Sequence, residues 1–165
     1  MADLIVIAYD SESEAEAAYN RVQELQSDLV VELAGLALVK VDGEGKTKVE
    51  YPGGAGNIGL GAAGGALFGT LIGLLFFVPI AGLVFGGLFG ALFAGLDKTS
   101  IDSEFRDRVK STVTAGKSAI VLYATKLTED KFAAALAPFH GTVVQTSLSA
   151  EDERELIHDL ADQKQ

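Results

Sequence analysis

The residues with the plainest chemical look in this 165-residue chain are glycines. Gly59-Leu60-Gly61-Ala62-Ala63-Gly64 spells a dinucleotide fingerprint, in which glycines let backbone N–H groups approach a pyrophosphate. That chemistry needs a β-strand just before the glycines and an acidic residue about 20 positions later. Gly56 and Asn57 stand where the strand should be, and no carboxylate follows at that distance. There are two histidines. His140 lies in Pro138-Phe139-His140-Gly141, a turn composition, and His158 sits beside Glu155 and Asp159 on an amphipathic pattern. Both read as exposed residues, not as a metal ligand or general base. Ser11–Glu16 and Glu151-Asp152-Glu153 are acidic, as helix starts prefer, and neither is a calcium loop. The chain has no cysteine, so disulfides, thiolate catalysis and cysteine-ligated metals are excluded. No nucleophile, base and orienting group can be named together. The expectation is a non-enzyme with no catalytic residues, no cofactor and no metal.

The chain as a whole carries 23 acidic and 13 basic residues, a net charge of −10. Binding to phosphates rests on cationic neutralisation, so a nucleic-acid partner is not expected. Met1–Asp10 lacks the cationic start and long apolar run of a secretory signal, which places the polar part in the cytoplasm.

That charge is unevenly spread. Tyr51–Leu96 is 46 residues without Asp, Glu, Lys, Arg or His, and it holds 14 of the 19 glycines. Gly61, Gly65, Gly69 and Gly73 recur every fourth residue, as do Gly82, Gly86, Gly90 and Ala94. In water each interior glycine costs a helix about 1 kcal/mol relative to alanine. In lipid, small residues let helix backbones approach, and that approach supplies the packing. Asn57–Val78 would span about 33 Å as a helix, against a hydrocarbon core of about 30 Å. Pro79 then opens a second limb, Ile80–Leu96, of about 25 Å. The expectation is a glycine-zipper membrane hairpin over 52–96, with its tip at Phe77, Val78, Pro79 and Ile80. Leu67, Phe68, Leu71, Leu74, Leu75 and Phe76 would face acyl chains, as would Leu83, Phe85, Leu88, Phe89, Leu92 and Phe93. Lys46 and Lys48 before the window and Lys98, Arg106, Arg108 and Lys110 after it put both ends on the cytoplasmic side. The apolar tip leaves two placements open, a full span or a hairpin that dips in from one side.

The flanking residues, 1–51 and 97–165, read as one split α+β domain. Leu4–Ala8 is a buried strand. Ser13 with Glu16 fits a capping box, opening a helix with an apolar stripe at Ala15, Ala18, Tyr19, Val22 and Leu25. Leu36–Val41 and Lys46–Tyr51 form a hairpin around Asp42-Gly43-Glu44-Gly45. Ser100 or Asp102 opens a helix in which Ile101, Phe105, Val109 and Val113 recur. Ser118–Ala124 is a strand, Thr128 caps a helix with Phe132 and Leu136 inward, and Thr142–Ser147 is a further strand. Ser149 opens a last helix with Leu156, Ile157 and Leu160 inward. Strand–helix–strand twice over predicts a ferredoxin-like antiparallel sheet with helices on one face.

Several stretches, in order, resemble the bacterial family called domain of unknown function 1269. They are Leu4–Asp10 with its helix, the glycine-rich double apolar segment, Ile101-Asp102-Ser103-Glu104-Phe105, Gly116–Leu122, and Gly141–Ser149. The resemblance implies a bacterial membrane protein of unassigned function, in the inner membrane, with no catalytic residues to carry over. His140 stands where such proteins look like Gly-Gly or Phe-Gly. The functional expectation is a structural protein that self-assembles through its zipper hairpins, contacts lipid and forms homo-oligomers. The alternative is a membrane-anchored module that senses a ligand with its ferredoxin-like domain.

Overall fold

Leu4–Tyr9, Leu36–Val39 and Ser118–Ala124 are buried at every position. Side chains of a strand alternate between faces, so uninterrupted burial requires both faces of the sheet to be covered. The computed structural model describes residues 2–50, 68, 71–77 and 103–148, and it meets that requirement.

Strand β1 (Ala2–Tyr9) leads into helix α1 (Glu12–Ser27), β2 (Val31–Val41) and β3 (Thr47–Glu50). A π-helical turn, Gly73–Phe77, follows helical residues Leu71 and Ile72. Next come α2 (Ser103–Thr112), β4 (Ser118–Leu127), α3 (Glu129–Leu136), a 3-10 turn (Ala137–Phe139) and β5 (Thr142–Leu148). The fold is α+β, with a five-stranded sheet in the order β3-β2-β4-β1-β5 and every neighbouring pair antiparallel. Central β4 lies between β1 and β2, so the two strand–helix–strand halves interleave.

The two faces have separate cores. Ile5, Ile7, Tyr9, Leu38, Ile120 and Leu122 point to the side covered by α1 and α3. Leu4, Val6, Val39, Val121, Tyr123 and Val144 point to the other, covered by α2 and by Phe68, Leu71, Ile72 and Leu75. The expectation of helices on one face is therefore corrected. The central strands are apolar at both parities, and a one-sided layer would leave half of those side chains in water.

Local details differ from expectation in two places. Ser11, not Ser13, caps α1, its Oγ accepting from the Glu14 N–H at 3.2 Å. The helix starts as soon as β1 ends, so the capping residue falls two positions early. β2 begins at Val31, five residues before the expected Leu36, because irregular pairing around Glu32, Leu33 and Gly35 breaks the simple alternation. The hairpin turn is as expected: the Asp42 carboxylate accepts from the N–H groups of Glu44 and Lys46, both at 2.9 Å. The C-terminal helix expected after Ser149 lies outside the described residues, as do His158 and Tyr51.

Candidate functional site

The part of the uncharged window that is described lies against the sheet. Phe68 is 0 % exposed, and Leu71, Ile72 and Leu75 are buried beside it with Phe76 packed at the margin. Their spacing, i, i+3, i+4 and i+7, is one helical face. The sequence pattern assigns Phe68, Leu71 and Leu75 to lipid; in the structure they fill the domain core instead. The sheet face bounded by α2 offers apolar surface that nothing else described covers.

A notch in the sheet receives Phe68. Gly35 belongs to the irregular part of β2, and its lack of a side chain opens the strand surface. A Cβ at Gly35 would lie 2.6 Å from ring atoms of Phe68. The ring thus rests on the β2 backbone itself, with Tyr123 of the neighbouring strand tilted against it at a centroid distance of 6.5 Å. An isolated glycine inside a strand pattern is the signal for such close approach, and Gly35 carried it in the sequence.

Of the expected zipper residues, only Gly73 is described. It is half-buried, and among the described residues no atom outside its own turn lies within 4 Å of a Cβ placed on it. Being one residue beyond buried Ile72, it stands about a quarter-turn away from the sheet-facing stripe. Gly61, Gly65, Gly69, Gly82, Gly86, Gly90 and Ala94 lie outside the described residues. So do tip residues Val78, Pro79 and Ile80, while Phe77 ends the π-helical turn. Among the described residues no helix is long and apolar enough to cross a membrane.

The opposite face of the sheet holds a cavity of about 390 Å³ between α3 and strands β1 and β5. Ile5, Ile7, Phe132 and Leu136 form apolar walls, with Tyr9, Glu129, His140 and Gln145 also lining it. Gly141 keeps this end tight: a Cβ there would meet the Ile7 side chain and come within 2.7 Å of the Tyr9 ring. His140, expected as a turn residue, is exposed and left-handed at φ 55° as it closes the 3-10 turn. The cavity was not legible in the sequence. Its apolar walls are ordinary core residues, and only the fold brings α3, β1 and β5 around one space.

A charged cluster ties the sheet to the start of α1. Lys40 Nζ lies 2.8 Å from both Glu12 and Glu16 and 3.5 Å from Glu50. Hydrogen bonds to Glu12 and Glu16 hold the Lys40 ammonium above its ordinary range, despite the opposing effect of burial. Burial pushes the Tyr9 and Tyr19 phenols up to about 12, with Glu14 and Glu50 respectively adding to it. All three groups bind their protons more tightly when folded than when unfolded. Their contribution to stability is complete below the unfolded values of 10.0 and 10.5 and is lost as pH rises through the folded ones. Urea midpoints are therefore expected to fall steadily from about pH 10 towards pH 12. Tyr9→Phe should flatten part of that slope, and phenolate absorbance should track the rest. A midpoint constant across this range would contradict the assignment.

A family profile described as "Protein of unknown function (DUF1269)" matches residues 62–161. No curated protein and no solved structure matches the chain.

Proposed function

We propose, from the premise that this chain belongs to the DUF1269 family, that it is a non-enzymatic, membrane-associated structural protein assembled through its glycine rows. The α+β domain acts as a ferredoxin-like clamp on the first limb of an uncharged hairpin. One observation carries this reading: the limb divides its faces. Phe68, Leu71, Ile72 and Leu75 are spent on the sheet, while Gly73 of the glycine row falls off that helical face.

Such a division suits a limb held by its own domain along one edge and offering small residues to another helix along the next. The other helix is the second limb, from Ile80, or the hairpin of a second copy. Three small-residue rows exceed what one pair of helices requires, because Gly87, Ala91 and Gly95 run beside Gly86, Gly90 and Ala94. Homo-oligomers follow. Phe68, Leu71, Ile72 and Leu75 seated on the sheet favour a hairpin that dips into lipid from the domain side over a full span by Asn57–Val78. The polar domain then stays on the cytoplasmic side, where the flanking lysines and arginines place it. Shaping or enclosing lipid is the activity this assembly suits.

The test is Gly69→Leu combined with Gly86→Leu in the full chain. The detergent-solubilised particle is expected to fall to the mass of one subunit while the domain still melts cooperatively. A particle of unchanged mass would rule out assembly through the zipper rows. Flotation of the unmutated chain with lipid vesicles tests membrane association independently. Recovery only in the lipid-free fraction would reject it.

A second reading, that the ferredoxin-like domain senses a ligand, is favoured by the cavity between α3 and the β1–β5 edge.

A further inference from the structure

Leu29 is 88 % exposed and lies in the left-handed region at φ 61°. The closure of α1 puts it there. The Leu29 N–H donates to the Gln26 carbonyl at 3.1 Å, and the Val30 N–H donates to the Leu25 carbonyl at 2.9 Å. A double closure of this kind leaves one residue left-handed, a place usually taken by glycine because a Cβ there crowds the backbone. The apolar contact that accompanies such a closure is made by the next residue against the helix. Here that residue is Val30, half-buried on the same core as buried Leu25. Leu29 therefore adds strain without adding packing, and glycine or asparagine would suit the turn better. Strain of this kind gathers at positions kept for a function.

We infer that Leu29 is a second membrane contact: its side chain enters the headgroup layer of the leaflet that takes the hairpin, and it seats the domain there. This rests on the membrane reading above and adds the surface by which the domain meets lipid.

The placement of Leu29 points to lipid. β2 begins at Val31, two residues after it. β3 pairs antiparallel with β2, so the chain leaves Glu50 for the uncharged window while running towards that same end of the sheet. Phe68 of the window is seated on Gly35, in the first half of β2. A hairpin that dips into lipid from the domain side thus presents the Leu29 end to the bilayer. A lone apolar side chain on a polar turn needs no shaped pocket in a fluid layer. Ser27 and Asp28 beside it are exposed, so the turn stays wet and only the isobutyl group enters. The Asp28 carboxylate disfavours anionic lipid, which makes zwitterionic headgroups the partner. Taking a leucine out of water favours the seated domain about tenfold or more.

Methyl-selective NMR of the full chain in phosphatidylcholine nanodiscs tests this, with a spin label on the lipid chains close to the glycerol. The label should broaden the Leu29 methyls strongly and the Val143 methyls little. Val143 is the control because it is also exposed, at 52 %, yet it pairs with Ile7 near the end of β1, towards the other end of the sheet. Leu29→Asn keeps a residue that accepts the left-handed turn, so the urea midpoint should not fall. In that variant the broadening of the neighbouring Val30 methyls should be lost, and Leu29→Met should retain it. Replacing part of the phosphatidylcholine by phosphatidylglycerol should weaken the broadening.

Leu29 methyls that stay sharp in a chain that floats with vesicles would overturn the contact and leave the membrane reading standing. Recovery of the chain only in the lipid-free fraction would reject both. Equal broadening of Leu29 and Val143, or Val30 broadening unchanged in Leu29→Asn, would also overturn the assignment. So would Leu29 methyls shielded from a soluble paramagnetic agent yet untouched by the lipid label, since protein would then be the cover.

Discussion

Gly35→Ala should destabilise the chain by about 2–4 kcal/mol, far more than one methyl group on a strand would suggest. The added Cβ would fall 2.6 Å from two atoms of the Phe68 ring and 2.8 Å from a third. A ring cannot bend away as the end of a lysine can, so it must leave the notch. Leu71, Ile72 and Leu75 share its helical face and would lose their seats in part. Phe68→Ala alone should cost about 3–5 kcal/mol, by removing a fully buried ring and leaving its space empty. The decisive comparison is the double variant. With Phe68 already alanine, the Gly35 methyl enters vacated space, and its cost should drop below about 1 kcal/mol. Urea midpoints of the four proteins measure this. Additive costs would mean that Phe68 does not rest on Gly35. Undocking also bears on function, since a limb freed from the sheet exposes its apolar stripe. Gly35→Ala should then increase vesicle association of the full chain.

Much of the polar domain was legible because local patterns and tertiary demands agree there. The α1 stripe, the Asp42 turn and the β4 run each carry one message, and the structure repeats it. The strand–helix order also fixed which strands could be neighbours. Two things were harder to read. Leu4-Ile5-Val6-Ile7-Ala8 and Ala119-Ile120-Val121-Leu122 are apolar at both parities, the mark of strands covered on two sides. That mark was present, yet the second cover comes from α2 and from a stretch whose composition points to lipid. A stripe of Phe and Leu at helical spacing is equally good at meeting acyl chains and a sheet of Val and Leu. Periodicity gives the face and not the solvent. The zipper rows themselves, Gly73 apart, lie outside the described residues. The cavity had no sequence signal, because the meeting of its core walls is a fact about the fold and not about spacing.

The membrane reading and the docked stripe fit together if the domain meters how much of the window reaches lipid. Phe68, Leu71, Ile72 and Leu75 lie on the sheet, and the chain enters the window directly from β3. What holds β3 in place therefore controls where the window starts.

Lys40→Glu should release that starting point. The ammonium bridges Glu12 and Glu16 of α1 to Glu50, the last residue of β3, and its own side chain is only 18 % exposed. Replacing it removes two charge-assisted hydrogen bonds and adds a fourth carboxylate to three. Each such bond contributes about 1.5–3 kcal/mol when well buried. The glutamates are 49–61 % exposed, so solvent screens the interaction and the total should come to about 2–3 kcal/mol. Lys40→Met keeps the aliphatic packing and adds no repulsion, and it should cost about half as much. Salt separates the two variants. Raising ionic strength towards about 1 M shortens the Debye length to about 3 Å and should recover much of the Lys40→Glu loss and little of the Lys40→Met loss. Amide exchange of Thr47–Glu50 reports the same event locally. Those amides should exchange faster in Lys40→Glu, while the β1–β4 pairing keeps its protection. If β3 stays as protected as in the unmutated chain, the cluster is ornament on the surface, and β3 is held by its ladder with β2 alone.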